Sequence, residues 1–169
     1  LRYLARHGAD AETYCGLAWF VGGKLAGNVL EKITLSADVD AKSMPGATEG
    51  DRRRQARDLV GLLPCPTFIV NSGHGFHVHV LLPERDRVGT YLDPADGRRH
   101  VAVLGRALRL YLEHEAHDLF GVAVSLDHCH GVERVWRVPG GMNCKSGEGQ
   151  KSLTADRANW RRVELVTPG

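Results

Sequence analysis

The chain has 169 residues, 43% of them apolar and 25% charged, which fits one soluble globular domain and excludes a disordered chain. A formal net charge of +2 excludes a highly basic protein that coats nucleic acid, while leaving room for a local basic groove. No apolar run approaches the roughly 18 residues of a membrane-spanning helix and no signal-like apolar core opens the chain, so a cytoplasmic protein without membrane contact is expected. Cys15, Cys65, Cys129 and Cys144 form no C-x-x-C pair and fit reduced thiols. Beginning at Leu1 and ending in Thr167, Pro168 and Gly169, residues 1–169 are expected to be a single domain cut from a longer multidomain protein.

Taken in order, Leu1 to His7 read as a short helix stopped by Gly8, and Thr13 to Val21 as an apolar run ended by the Gly22-Gly23 turn. From Lys32 to Asp40 the residues alternate strictly. Ile33, Leu35, Ala37 and Val39 face one way and Lys32, Thr34, Ser36, Asp38 and Asp40 the other, as in a half-buried strand. Ala56, Leu59, Val60 and Leu63 recur at helical spacing before Pro64. Thr67 to Ser72 and Phe76 to Leu82 are strand-like runs joined by Gly73, His74 and Gly75, a hairpin with a glycine turn. Asp93 and Pro94 supply an N-cap and first-turn proline for a second helix carrying Val101, Leu104, Leu108, Tyr111 and Leu112 on its apolar face. Val122 to Leu126 reads as a strand delivering Asp127, and Glu133 to Val138 as another, closed by Pro139, Gly140 and Gly141. Strands alternating with two amphipathic helices give an α+β fold class.

Three groups carry chemistry. Asp38 and Asp40, two residues apart on one strand, present carboxylates on the same face roughly 6.5 Å apart along the backbone. Mg²⁺ and Mn²⁺ favour oxygen ligands and usually take one or two carboxylates, keeping positions for water and phosphates. Standing alone, a D-x-D pair is more often a solvated strand edge. The turn Ser72-Gly73-His74-Gly75-Phe76-His77 offers glycines that let backbone N–H groups converge on a phosphate, a hydroxyl at Ser72 and an imidazole at His77. An ordinary glycine hairpin turn explains the same segment. Asp127, with Arg134, Arg137, Pro139, Gly140, Asn143 and Lys145 after it, joins one acid to cations that can neutralise a triphosphate or a template backbone.

In chain order, Ala37-Asp38-Val39-Asp40, then Ser72-Gly73-His74-Gly75-Phe76-His77, then Asp127 before Arg137-Val138-Pro139-Gly140-Gly141-Met142-Asn143-Cys144-Lys145 resemble the archaeo-eukaryotic primase superfamily. The likeness is in particular to primase-polymerases of plasmid and phage replication proteins, and it spans Asp38 to Lys145. It implies an RRM-like sheet unit fused to a second α/β unit, with the active site in the cleft between. It further implies that Asp38, Asp40 and Asp127 bind two Mg²⁺ or Mn²⁺ ions and that Ser72, Gly73, His74, Gly75 and His77 meet the nucleotide's phosphates. Arg137, Asn143 and Lys145 would contact phosphate or template. The implied partners are a single-stranded DNA template, a primer strand and dNTP or NTP, with a fused or associated helicase. Many members have Asp and Glu in the first motif where this chain has two aspartates. Some carry zinc, and His128, Cys129, His130 and Cys144 are ligands of suitable type, although they lack paired spacing.

Two other readings compete. His77-Val78-His79-Val80 matches the two-histidine metal motif of rolling-circle replication nucleases, which cut DNA with a tyrosine, but Tyr91 and Tyr111 lack a lysine three or four residues onward. A catalytically silent module binding single-stranded nucleic acid through Arg52, Arg53, Arg54, Arg57, Arg161 and Arg162 is the second.

Overall fold

A computed structural model describes residues 14–22, 25–64, 68–128, 131–140, 142–143 and 161–166. The apolar run before Gly22 forms two short strands, β1 (Tyr14–Gly16) and β2 (Ala18–Phe20). The alternating segment forms β4 (Thr34–Asp40), separated at Ile33 from β3 (Val29–Lys32). The helix α1 (Glu49–Gly61) opens on a reciprocal cap. The Asp51 N–H donates to the Thr48 hydroxyl at 3.1 Å, and the Thr48 N–H donates to the Asp51 carboxylate at 3.3 Å. The expected hairpin is β5 (Phe68–Asn71) and β6 (Gly75–Leu81). In α2 (Pro94–Phe120), the Asp93 carboxylate accepts from the Ala95 N–H at 2.8 Å, and Gly121 ends the helix at φ +68°. The short strands β7 (Val135–Arg137), β8 (Met142–Asn143), β9 (Arg161–Arg162) and β10 (Glu164–Val166) follow.

The fold is therefore α+β. One four-stranded sheet runs β10-β5-β6-β4 with every neighbour antiparallel, while β1–β7, β2–β3 and β8–β9 form two-stranded ribbons. Because β6 inserts between β4 and β5, the β4–α1–β5 unit is a split βαβ. The last strand departs from an RRM-like order, lying beside the second strand of the unit rather than the first. The return from α2 first covers the opposite face of the sheet, through β7 and β8, and then pairs at the β5 edge.

Both helices cover one face, where Val39, Ile69, Phe76 and Val78 pack against Ala56, Leu59, Val60, Leu112 and Ala116. Each fully buried Leu or Val contributes about 1.5–3 kcal/mol, so this face supplies most of the drive for the sheet–helix layer. A second cluster of Ala18, Val29, Leu82, Val88, Val101 and Val132 anchors the β2–β3 ribbon on α2.

Three expectations are corrected. The polar side of β4 is not solvated: Lys32, Thr34, Ser36, His77 and His79 are buried, because Trp136 of β7 lies edge-on over the two histidines. Residues 123–128 form no strand. Val124 and Leu126 do plug into the core, but the Leu126 N–H donates to the Glu113 carboxylate of α2 at 2.9 Å, so a helix side chain replaces a strand partner. The strand expected from Glu133 to Val138 is confined to Val135–Arg137, paired with β1. The helix expected over Leu1 to His7 lies outside the described residues.

A side chain at Gly75 would overlap the Val39 carbonyl oxygen and stand 2.8 Å from the Asp40 Cα. Gly75→Ala is expected to lower stability by about 1–3 kcal/mol in urea unfolding. Gly61→Ala, in helix with nothing within 4 Å of the added carbon, should be neutral or stabilising. Equal midpoints for the two variants would contradict the close strand approach.

Candidate active site

The register of β4 on β6 places Asp38 opposite His77, Ser36 opposite His79 and Asp40 opposite Gly75. Strand alternation then puts both acids and both imidazoles on the face away from the helices. The His77 Nε2 lies 3.8 Å from the Asp38 Oδ1, and its ring meets Trp136 edge-on with centroids 5.0 Å apart. Asp40, at the strand end, has its Oδ2 3.1 Å from the Lys42 ammonium.

Asp127 reaches the same region from the far side of the core. Leu126 is anchored inside, which leaves Asp127 at the surface with its side chain 57% exposed and 3.4 Å from the Arg134 guanidinium. The Lys42 ammonium reports the convergence. Its pKa is held above the ordinary lysine value first by the hydrogen bond and charge of Asp40, then by the charges of Asp127 and Asp38. The charges of the Asp38/Asp40 pair and of Asp127, far from it in sequence, thus act on one cationic group. Among the described residues no three His, Cys, Asp or Glu side chains are gathered closely enough to hold a metal ion. The donor set is nonetheless all oxygen and carboxylate, the chemistry of Mg²⁺ and Mn²⁺, and cations of the chain already engage two of its members, Lys42 at Asp40 and Arg134 at Asp127.

The glycine turn serves the fold as well as any ligand. The Ser72 N–H donates to the Gly75 carbonyl at 2.9 Å, and the Gly73 N–H donates to the Asn71 side chain at 3.0 Å. Gly73 has φ +91° and lies against the Arg161 side chain, so these two amides are committed to the turn. Ser72 is buried, and the Asn143 amide donates to its carbonyl at 2.6 Å, which ties β8 to the turn. Arg137 is buried on β7 beside Trp136, and the His74 carbonyl accepts from the Ala41 N–H at 2.9 Å, locking the turn to the end of β4. Lys145 lies outside the described residues, as do Cys129, His130 and Cys144 of the zinc expectation; His128 is exposed.

The alternation at Lys32, Thr34 and Ser36 continues as a buried polar row that sequence reasoning read as solvated. Ser36 Oγ and His79 Nδ1 are 2.8 Å apart, and the His79 ring stacks on Phe68 at 4.4 Å and meets Trp136 edge-on at 5.2 Å. Lys32, 3% exposed, has its pKa pushed down to about 8 by burial, with the charge of Glu133 opposing. Lys42 also escaped the sequence reading. Its signal was the continued spacing Asp38-x-Asp40-x-Lys42, a cation one step past the acidic pair.

The chain matches no protein-family model, no curated protein and no solved structure. No helix among the described residues is long and apolar enough to cross a membrane.

Burial pushes the His79 pKa down to about 3, with the Lys32 charge adding to the effect. The unfolded chain takes up this proton near pH 6.5 and the folded chain only near pH 3, so its contribution is intact above pH 6.5 and lost as pH falls through that window. Between pH 7 and about pH 5 the loss is about 2 kcal/mol. Urea unfolding of His79→Asn should show a pH dependence flatter by that amount. An unchanged dependence would remove His79 as its source.

Proposed function

We propose that the chain is the nucleotidyl-transfer core of a DNA primase-polymerase, joining nucleotides on a single-stranded template with release of pyrophosphate. The observation that carries this reading is the register that sets Asp38, Asp40 and His77 on one face of the β4–β6 pair, with the His77 Nε2 3.8 Å from Asp38, supported by the charge of Asp127 acting on Lys42 beside Asp40. The split βαβ unit and its polar face are compatible with the primase-like core implied by the motifs, and the β10 edge is where the sheet departs from it.

Asp38, Asp40 and Asp127 would hold the divalent cations, with Lys42 and Arg134 yielding the carboxylates they now engage. When bound, such ions lower the pKa of a primer 3′-hydroxyl and neutralise the triphosphate. The chain's own part is positioning and charge. His77 is buried beside Asp38 under Trp136, and would donate to phosphate oxygens, stabilising the charge that grows as pyrophosphate leaves, only once Trp136 swings aside. Arg137 and Lys145 would contact phosphate or template. Asn143 acts indirectly by fixing the turn that delivers His77.

The rolling-circle nuclease reading fits less well. It needs both histidines of His77-Val78-His79 on one open metal site, whereas both are buried under Trp136, and His79 is further enclosed by Ser36 and Phe68. A silent binding module leaves the three acids without a purpose, since carboxylates beside a phosphate-binding surface repel it unless cations intervene.

Incubation of the chain with a single-stranded template, labelled nucleotides and Mn²⁺ or Mg²⁺, with products resolved by length, tests the proposal. Products should extend in template order, and Asp38→Ala, Asp40→Ala and Asp127→Asn should each lower the rate by about 10²- to 10³-fold. Variants that extend at the wild-type rate, or a covalent 5′-phosphotyrosine adduct in place of products, would overturn it.

A further inference from the structure

Arg53, Arg54 and Arg57 fall at i, i+1 and i+4 of α1, so their guanidinium groups form a stripe beside the buried Ala56, Leu59 and Val60. With Asn71, Glu164 and Leu165 the three arginines line a groove of about 610 Å³ between α1 and the β10 edge of the sheet. Three cations face one carboxylate there. Arg54 is paired with Asp51 at 2.5 Å and Arg53 approaches Glu49 at 4.0 Å, both on α1 itself, while Arg57 makes no ion pair with any described residue. Along the helix Arg53 and Arg57 are separated by a rise of about 6 Å, on the order of the step between successive phosphates of an extended strand.

The groove also has a defined place relative to the acids. Asn71 pairs with Phe76 at the closed end of the hairpin, and Phe76 pairs with Val39, the residue between Asp38 and Asp40. The groove and the acid site therefore share one end of the sheet on opposite faces, with the turn at residues 72–75 between them. We propose that this arginine groove holds the sugar-phosphate backbone of a single-stranded nucleic acid whose path continues around the hairpin turn to the acid site. It deepens the primase-polymerase reading by giving the template a seat, and rests on that reading only for where the strand leads. Arginine grips phosphate with two parallel hydrogen bonds. Phe76 is buried in the core, so no aromatic face is offered to bases and binding is independent of sequence and dependent on salt.

Anisotropy of a labelled oligothymidylate, titrated with the full chain in EDTA at several salt concentrations, tests the groove without metal or catalysis. For Arg53→Ala/Arg57→Ala, the slope of log affinity against log salt should fall by about 1.4, two contacts at about 0.7 each, and affinity at about 0.1 M salt by about 25-fold. Arg53→Lys/Arg57→Lys should keep the slope. The control Arg99→Ala/Arg106→Ala, which removes the same charge from α2, should behave as wild type. A wild-type slope in the first variant, an equal loss in the control, or displacement by polyglutamate as effective as by unlabelled oligonucleotide would overturn the proposal. A chain that binds through the groove but never incorporates nucleotides sinks the polymerase reading alone; one that incorporates them with an unchanged slope sinks the groove alone.

Discussion

The register between β4 and β6 is the constraint from which the site follows. Side chains alternate with a period of two along a strand, so a slip of one residue would turn Asp38 and Asp40 into the helix-covered core and bring Val39 to the polar face. Gly75 fixes the register by letting the hairpin close onto the Val39 carbonyl, and the Ala41 N–H to His74 carbonyl bond holds the end of the pairing. The apolar face enforces the same choice, since Ala37, Val39, Phe76 and Val78 have a place only under α1 and α2.

Given that register, the polar face becomes an electrostatic problem. Buried polar groups are costly unless they are paired, and carboxylates near one another raise each other's energy. Two solutions are visible along one strand. Toward β3, His79 remains neutral, bonded to Ser36 and roofed by Trp136. Toward the open end, the acids engage cations of the chain, Lys42 with Asp40 and Arg134 with Asp127. The closed end makes the layer rigid; the open end is where a mobile lysine on a flexible stem can be exchanged for another cation.

Much of this was legible in the sequence because it rests on local rules. The Asp93 helix start, the glycine hairpin and the apolar stripes of both helices are written in spacing and capping chemistry, and they formed where expected, whereas the first helix starts at Thr48, inside the stretch through Gly50 that reads as a polar loop. What the sequence hid was tertiary. The row Lys32-Thr34-Ser36 reads as a wet face until Trp136, about a hundred residues later, is laid over it. Val122 to Leu126 alternates like a strand, yet its N–H partner is a glutamate on α2, which no periodicity encodes. Asp127 could be named as a candidate, but its approach to Lys42 depends on how Leu126 seats in the core.

Whether three separated acids make one cation-binding centre is settled most directly by titrating Mn²⁺ into the chain and following the free ion by electron paramagnetic resonance. If they do, Asp38→Asn, Asp40→Asn and Asp127→Asn each weaken the same binding event, and Lys42→Met strengthens it by removing the resident ammonium. Binding that survives Asp127→Asn unchanged, or that ignores Lys42→Met, would contradict a shared centre.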